Sequence, residues 1–99
     1  MSDYLAIALI GAGSSYGRDP NKDAAVARCK KIVEQDWAFM FDLHGKTCTI
    51  NVYDVTGHDD LFWDDRGVHP RTKPETCLPR LELVKVTLSV AARYRRKRA

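Results

Sequence analysis

The run DPNKDAAVARCKKIVEQDWAFMFDL, residues 19–43, decides how this chain is read, because an amphipathic helix passes straight into an aromatic segment. Asp19 stands where its carboxylate can accept from the first free N–H groups, and Pro20 takes the first helical position, where no N–H is needed. Asp23 adds an acid near the positive end of the helix dipole. Ala25, Val26, Cys29, Ile32, Val33 and Trp37 recur every three or four residues, while Arg28, Lys30, Lys31, Glu34 and Gln35 fall elsewhere around the wheel. The spacing predicts one helix with a single apolar stripe, ending near Asp36.

Beyond it, Trp37 to Leu43 alternates with period two, and His44-Gly45 joins it to Lys46–Tyr53. A two-residue turn at His44-Gly45 predicts a β-hairpin in which Leu43 faces Lys46, Phe41 faces Cys48, Phe39 faces Ile50 and Trp37 faces Val52. Tyr4 to Ile10 is a further strand, with Leu5, Ile7 and Leu9 on its large face and Ala6 and Ala8 on its small one. Strand, helix and strand in one sheet imply a right-handed crossover that sets Tyr4–Ile10 parallel to a hairpin strand, with the helix on the large face. Leu81–Val90 is the last strand, with a bulge near Val84 where the parity of Leu81 and Leu83 changes; a helix is the alternative. The expected fold is α+β, a two-layer sandwich of one amphipathic helix on a mostly antiparallel sheet of about four strands, in the order β-α-β-β-loop-β.

Ninety-nine residues support one core, so residues 1–92 are expected to form a single domain. Residues 93–99 form a basic tail. The body carries 11 Lys and Arg against 13 Asp and Glu, a net charge of −2, whereas Arg93, Arg95, Arg96, Lys97 and Arg98 give the tail +5. Such asymmetry points to a polyanionic or acidic partner. No apolar run reaches the ~20 residues of a membrane span, and the first residues lack a basic leader, so a cytoplasmic protein without a membrane role is expected. Three cysteines, Cys29, Cys48 and Cys77, agree with that compartment: the number is odd and no Cys-x-x-Cys occurs.

Two loops invite chemistry. Gly11–Arg18 is glycine-rich between a strand and a helix, yet the dinucleotide fingerprint needs glycine where Tyr16 stands, and Gly-Lys-Ser/Thr is absent. A flexible connection is the expectation there, with no cofactor. Asp54, His58, Asp59, Asp60, Asp64, Asp65 and His69 are metal-competent residue types, but neither His-Glu-x-x-His nor EF-hand spacing is present, so no metal site is assigned. Asp64–Gly67 is expected as a turn between short strands, and an acid–base pair such as Asp59 with His69, or metal-dependent catalysis by Asp59, Asp64 and His69, is the chemistry the loop could offer. Pro70, Pro74 and Pro79 mark an extended connection after it.

Trp63 reads ordinarily as a core or lid residue, because large aromatics usually report burial; the alternative, which the polar loop around it suggests, is an exposed anchor with Arg66 beside it. In the tail, five cations within six positions suit DNA or RNA phosphates, and Tyr94 could stack on a base. A four-stranded sheet with Tyr4 and Tyr53 on an uncovered face resembles the RNA-recognition fold in outline, but the Lys/Arg-Gly-Phe/Tyr-Gly/Ala-Phe signature is absent. No nucleophile motif is present either. The expectation is a non-catalytic interaction protein that docks on a protein or nucleoprotein complex through Trp63, Arg66 and residues 93–98, blocking or regulating it. Phage or mobile-element inhibitors such as anti-CRISPR proteins are the class that small, motif-poor chains of this kind bring to mind. The alternative is a direct nucleic-acid-binding module led by the tail, and a metal-dependent enzyme using the Asp/His loop ranks below both.

Overall fold

A computed structural model of the chain describes residues 2–10, 13–38, 40–63 and 69–90. One helix packs on a four-stranded, wholly antiparallel sheet, an α+β two-layer arrangement. The strands are β1 (Tyr4–Ile10), β2 (Gly13–Asp19), β3 (Thr47–Asp54) and β4 (Glu82–Thr87), in the spatial order β2-β1-β3-β4, and the helix α1 is Lys22–Asp36. The chain order is therefore β-β-α-β-loop-β, with two short 3₁₀ turns at Asp59–Leu61 and Pro74–Thr76 inside the long connection.

From Gly13 on, the glycine-rich stretch is a strand and not a flexible connection, while Gly11 and Ala12 lie outside the described residues. Its glycines serve close approach: a Cβ on Gly17 would lie 2.3 Å from the Ala25 carbonyl and 2.5 Å from the Cys29 nitrogen, and one on Gly13 would meet the Trp37 ring. Leu5 pairs with Arg18, Ile7 with Tyr16 and Ala8 with Ser15 across β1 and β2. Because β2 supplies this partner, β1 is antiparallel to both of its neighbours, and the expected parallel pairing is not formed.

The helix starts two residues later than expected. Asn21 is the N-cap, its side chain accepting from the Ala24 N–H, while the Asp19 carboxylate instead accepts from the Asn21 N–H and the Arg28 guanidinium. The apolar stripe is real, with Ala25, Cys29 and Val33 fully buried. It covers the small face of β1 and not the large one: Ala6 and Ala8 join Ala25, Cys29, Val33, Cys48, Ile50, Val52 and Leu88 in one core cluster. Alanines and Gly17 let the helix sit close to the sheet, so the bulky β1 side chains are left for the opposite face.

Trp37 to Leu43 is not a strand. The Met40 and Phe41 N–H groups both donate to the Trp37 carbonyl, and the Trp37 and Phe41 rings tilt against each other at 6.2 Å, an i,i+4 contact that overrides the period-two pattern. The turn at His44-Gly45 does form, with Gly45 at φ 76° and the Lys46 N–H donating to the Leu43 carbonyl. Its partner is the far end of the chain. Gly45 donates to the Leu88 carbonyl and Leu88 to the Lys46 carbonyl, continuing the β3–β4 ladder in which Thr47 faces Thr87. That ladder runs without interruption from Thr47–Thr87 to Val52–Glu82, so the bulge expected near Val84 is absent and the helical alternative is excluded for Glu82–Thr87.

On the face away from α1, the long connection folds back and forms a second cluster of Leu5, Ile7, Tyr53, Val55 and Phe62, flanked by Tyr16, Leu61 and Leu78. Phe62 is 1% exposed, and burying such a ring contributes roughly 1.5–3 kcal/mol. Tyr53 is thus covered and Tyr4 packs on the helix side, so neither lies on an uncovered sheet face as the RNA-recognition comparison required.

Candidate functional site

The connecting loop shields only half of its sheet face. Side chains of Leu9 on β1, Ser14 on β2, Thr47, Thr49 and Asn51 on β3, and Leu83, Lys85 and Thr87 on β4 alternate away from the helix, as the register requires. Leu5, Ile7, Tyr53 and Tyr16, at the other end, lie under the loop. Where cover stops, exposure rises abruptly: Leu9 is 63% and Leu83 42% exposed, although both sit on strands. Exposed leucines flanked by threonines on an ordered sheet form a surface that folding left unpartnered.

Three shallow cavities line this half and share walls. One of about 320 Å³ lies between Leu9, Ser14, Arg71, Lys73 and Glu75. A second, also about 320 Å³, runs past Leu9, Lys46, Thr49, Asn51 and Leu88. A third of about 530 Å³ holds Asn51, Glu75 and Arg80. Leu9 belongs to the first two, Asn51 to the last two and Glu75 to the first and third, so they form one continuous depression.

Its electrostatics are one-sided. Arg18, Lys22, Arg28 and Lys30 are each held by a carboxylate: Arg18 by Asp3 and Asp59, Lys22 by Glu82, Arg28 by Asp19, Lys30 by Glu34. The exposed cations around the depression, Lys46, Arg71, Lys73, Arg80 and Lys85, have no such partner among the described residues. Arg71 donates to the Phe62 and Trp63 carbonyls and Arg80 to the Asn51 side chain, bonds that fix position without neutralising charge. Glu75 is the single acid on the cavity walls.

Trp63 is 68% exposed, which removes the core or lid reading. It follows the Phe62–Pro70 bridge, and Arg71 grips its carbonyl at 3.2 Å, so a buried phenylalanine and an arginine set the place of an exposed indole. Arg66, Arg93, Tyr94, Arg95, Arg96, Lys97 and Arg98, and with them the expected Asp64–Gly67 turn, lie outside the described residues. The root of the tail is described. Val90 and Leu88 are buried, the Ser89 N–H donates to the Glu34 carboxylate, and the Val90 N–H donates to His44 Nδ1. Leu88 also walls the cavity that contains Lys46.

The Asp/His loop is dispersed. Asp59 is committed to Arg18 at 2.8 Å, and the His69 ring meets Tyr16 edge-on at 5.3 Å, so the expected acid–base pair is not assembled. Asp54 accepts from the Thr56 N–H and hydroxyl, which lowers its pKa below the ordinary 3.8. Among the described residues no three His, Cys, Asp or Glu side chains converge as a metal site. Cys29 and Cys48 are buried and Cys77 exposed, all unpaired. Burial pushes the Cys29 thiol up to about 12.

No family model, no curated protein and no solved structure matches this chain. No helix among the described residues is long and apolar enough to cross a membrane. Sequence reasoning singled out Trp63 but missed the depression, whose cations come from the turn before β3, from β4 and from two parts of the long connection, and meet only through strand register.

Proposed function

We propose that this chain is a non-catalytic interaction protein that docks on a protein or nucleoprotein partner and blocks or regulates it. The observation that carries this reading is the coincidence of exposed leucines and uncompensated cations on one half of a sheet face whose other half is sealed. Interfaces combine an apolar patch with arginine and aromatic anchors, and Leu9, Leu83, Arg71 and Trp63 supply those types. The basic tail adds five cations in sequence to the same side of the balance. Three unpaired cysteines favour a reducing, cytoplasmic setting. Inhibitors of the phage or mobile-element kind act in this manner, by covering a surface that a larger complex needs.

The test is affinity capture from nuclease-treated lysate with the full chain and with Trp63→Ala and Leu83→Asp variants, followed by reconstitution of the captured complex from purified parts. A stoichiometric partner that binds the native chain and is lost by both variants is expected. Native-like capture by both variants would remove the open face from the interface.

A further inference from the structure

Resting on the reading of the open half-sheet as an interface, we propose that the depression itself takes a single strand of nucleic acid, with phosphates on its cations and bases against its leucines.

Three observations select this occupant. The first is charge: Lys46, Arg71, Lys73 and Arg80 line three adjoining cavities and Lys85 faces Thr49 on the same sheet face, with Glu75 as the opposing acid on the cavity walls among the described residues, while the paired cations Arg18, Lys22, Arg28 and Lys30 are already neutralised. The described part pairs Arg18, Lys22, Arg28 and Lys30, leaves Lys31 alone on α1, and gathers five cations without a carboxylate partner on one face, which presents a focused positive field. The second is chemistry between the charges. Ser14, Thr47, Thr49, Thr72 and Asn51 line the floor and walls with neutral donors, the groups that accompany lysine and arginine on phosphate and sugar oxygens. Leu9 and Leu83 offer apolar contact to base faces within the same surface, and Trp63, whose backbone carbonyl accepts from the cavity-lining Arg71, supplies an exposed indole for stacking.

The third is shape. The strip spans four strands, about 14 Å at the usual interstrand spacing, and sinks between the loop and β4. A duplex is read by an element that projects into a groove, and the sole described helix lies on the other side of the sheet with its stripe buried. A flexible single strand, in contrast, follows a shallow cationic trough without reading sequence. An acidic protein segment would match the charge but leaves the exposed indole and the leucines without a repeating partner, whereas every nucleotide brings one phosphate and one base.

The experiment is fluorescence anisotropy with labelled oligo-dT, oligo-rU and a duplex of equal length, using the full chain. Charge-matched variants separate the strip from bulk electrostatics: Lys73→Gln/Lys85→Gln and Lys31→Glu each change the net charge by two, the latter on the exposed face of α1. We expect single strands to bind more tightly than duplex. The strip double variant should lose about tenfold in affinity at 150 mM salt and lower the log–log salt slope by about 1.4, two phosphate contacts at about 0.7 each. Lys31→Glu should stay within about threefold of the native chain, and circular dichroism should report native folding for both. Equal losses in the two variants, preference for duplex, or no binding to any oligonucleotide would overturn the proposal. In the last case, continued capture of a nuclease-resistant protein partner by the native chain and its loss by Leu83→Asp would leave the interface reading standing with a protein occupant, and loss of both would end it too.

Discussion

The Arg18 guanidinium lies 3.8 Å above the centre of the Phe62 ring. One cation thus closes the loop-side core. It also donates to Asp3 at 2.6 Å and to Asp59 at 2.8 Å, tying the start of β1 and the first 3₁₀ turn to β2. The hydrogen bond to Asp3 is the main influence raising its pKa further, against the opposing effect of burial, so the charge is permanent.

Removal of this side chain should therefore loosen the loop rather than the sheet. Arg18→Ala forfeits the ring contact, worth about 0.5–2 kcal/mol, and leaves the part-buried Asp3 without its cation. Solvent reaches Asp59, so that half of the pair counts for little. A loss of about 2 kcal/mol in urea unfolding is expected, and Arg18→Lys should recover less than half, because an ammonium cannot lie flat on a ring while bridging two carboxylates. Full recovery by lysine would show that charge alone matters.

Gly17→Ala tests the opposite core. Its new Cβ would fall 2.3 Å from the Ala25 carbonyl and 2.5 Å from the Cys29 nitrogen, both backbone atoms of α1 that cannot rotate aside. The helix must lift from β2, and the cost should sit at or above the upper end of the roughly 1–3 kcal/mol typical of overpacking. Gly45→Ala offers a contrast: nothing lies near its Cβ, and only its φ of 76° is disfavoured, so about 1 kcal/mol is expected. Chemical denaturation of the two variants should rank them in that order.

These positions also explain what could be read in the chain. The helix was legible because Ala25, Cys29 and Val33 repeat at helical spacing, and β1, β3 and β4 because branched residues alternate. β2 was not, since Gly13, Ser15 and Gly17 carry no strand propensity; their shared signal was smallness at every second position, which spells helix contact. The faces were exchanged for the same reason. Size was taken as the mark of the helix-covered side, whereas Ala6 and Ala8 were the ones that let the helix approach. The Trp37–Leu43 aromatics matched a strand because a period of two also places residues four apart in register, and Trp37 with Phe41 used that spacing. At the candidate site, Trp63 was legible from its polar surroundings, while Lys46 and Lys85 become neighbours of one strip only once Thr49 is known to face Lys85.

Thiol chemistry should separate the cysteines sharply. Burial pushes Cys29 up to about 12, with the nearby Cys48 adding to the shift, and burial also raises Cys48. Cys77 is exposed after the second 3₁₀ turn. A chromogenic disulfide reagent at pH 8 should titrate one thiol per folded chain rapidly and three in denaturant, and Cys77→Ser should abolish the fast phase. Any fast thiol remaining in that variant would mean that the helix-side core opens far more readily than its packing implies.

Acid should act through local carboxylates at the strand ends. Asp54 is lowered chiefly by the Thr56 hydroxyl, then by the Thr56 N–H, and Asp19 chiefly by the Asn21 N–H, with Arg28 adding to it. Both are bound more strongly as anions in the folded chain, so their contribution is present above the ordinary value of 3.8 and disappears as the pH falls through the lower folded value. The melting temperature should accordingly be level from pH 7 to about pH 5 and decline below about pH 4. Asp54→Asn keeps an oxygen that can accept from Thr56 but cannot titrate, so its acid decline should be shallower than that of the native chain when melting is followed by circular dichroism from pH 7 to 2. An equally steep decline would place the acid sensitivity elsewhere than Asp54.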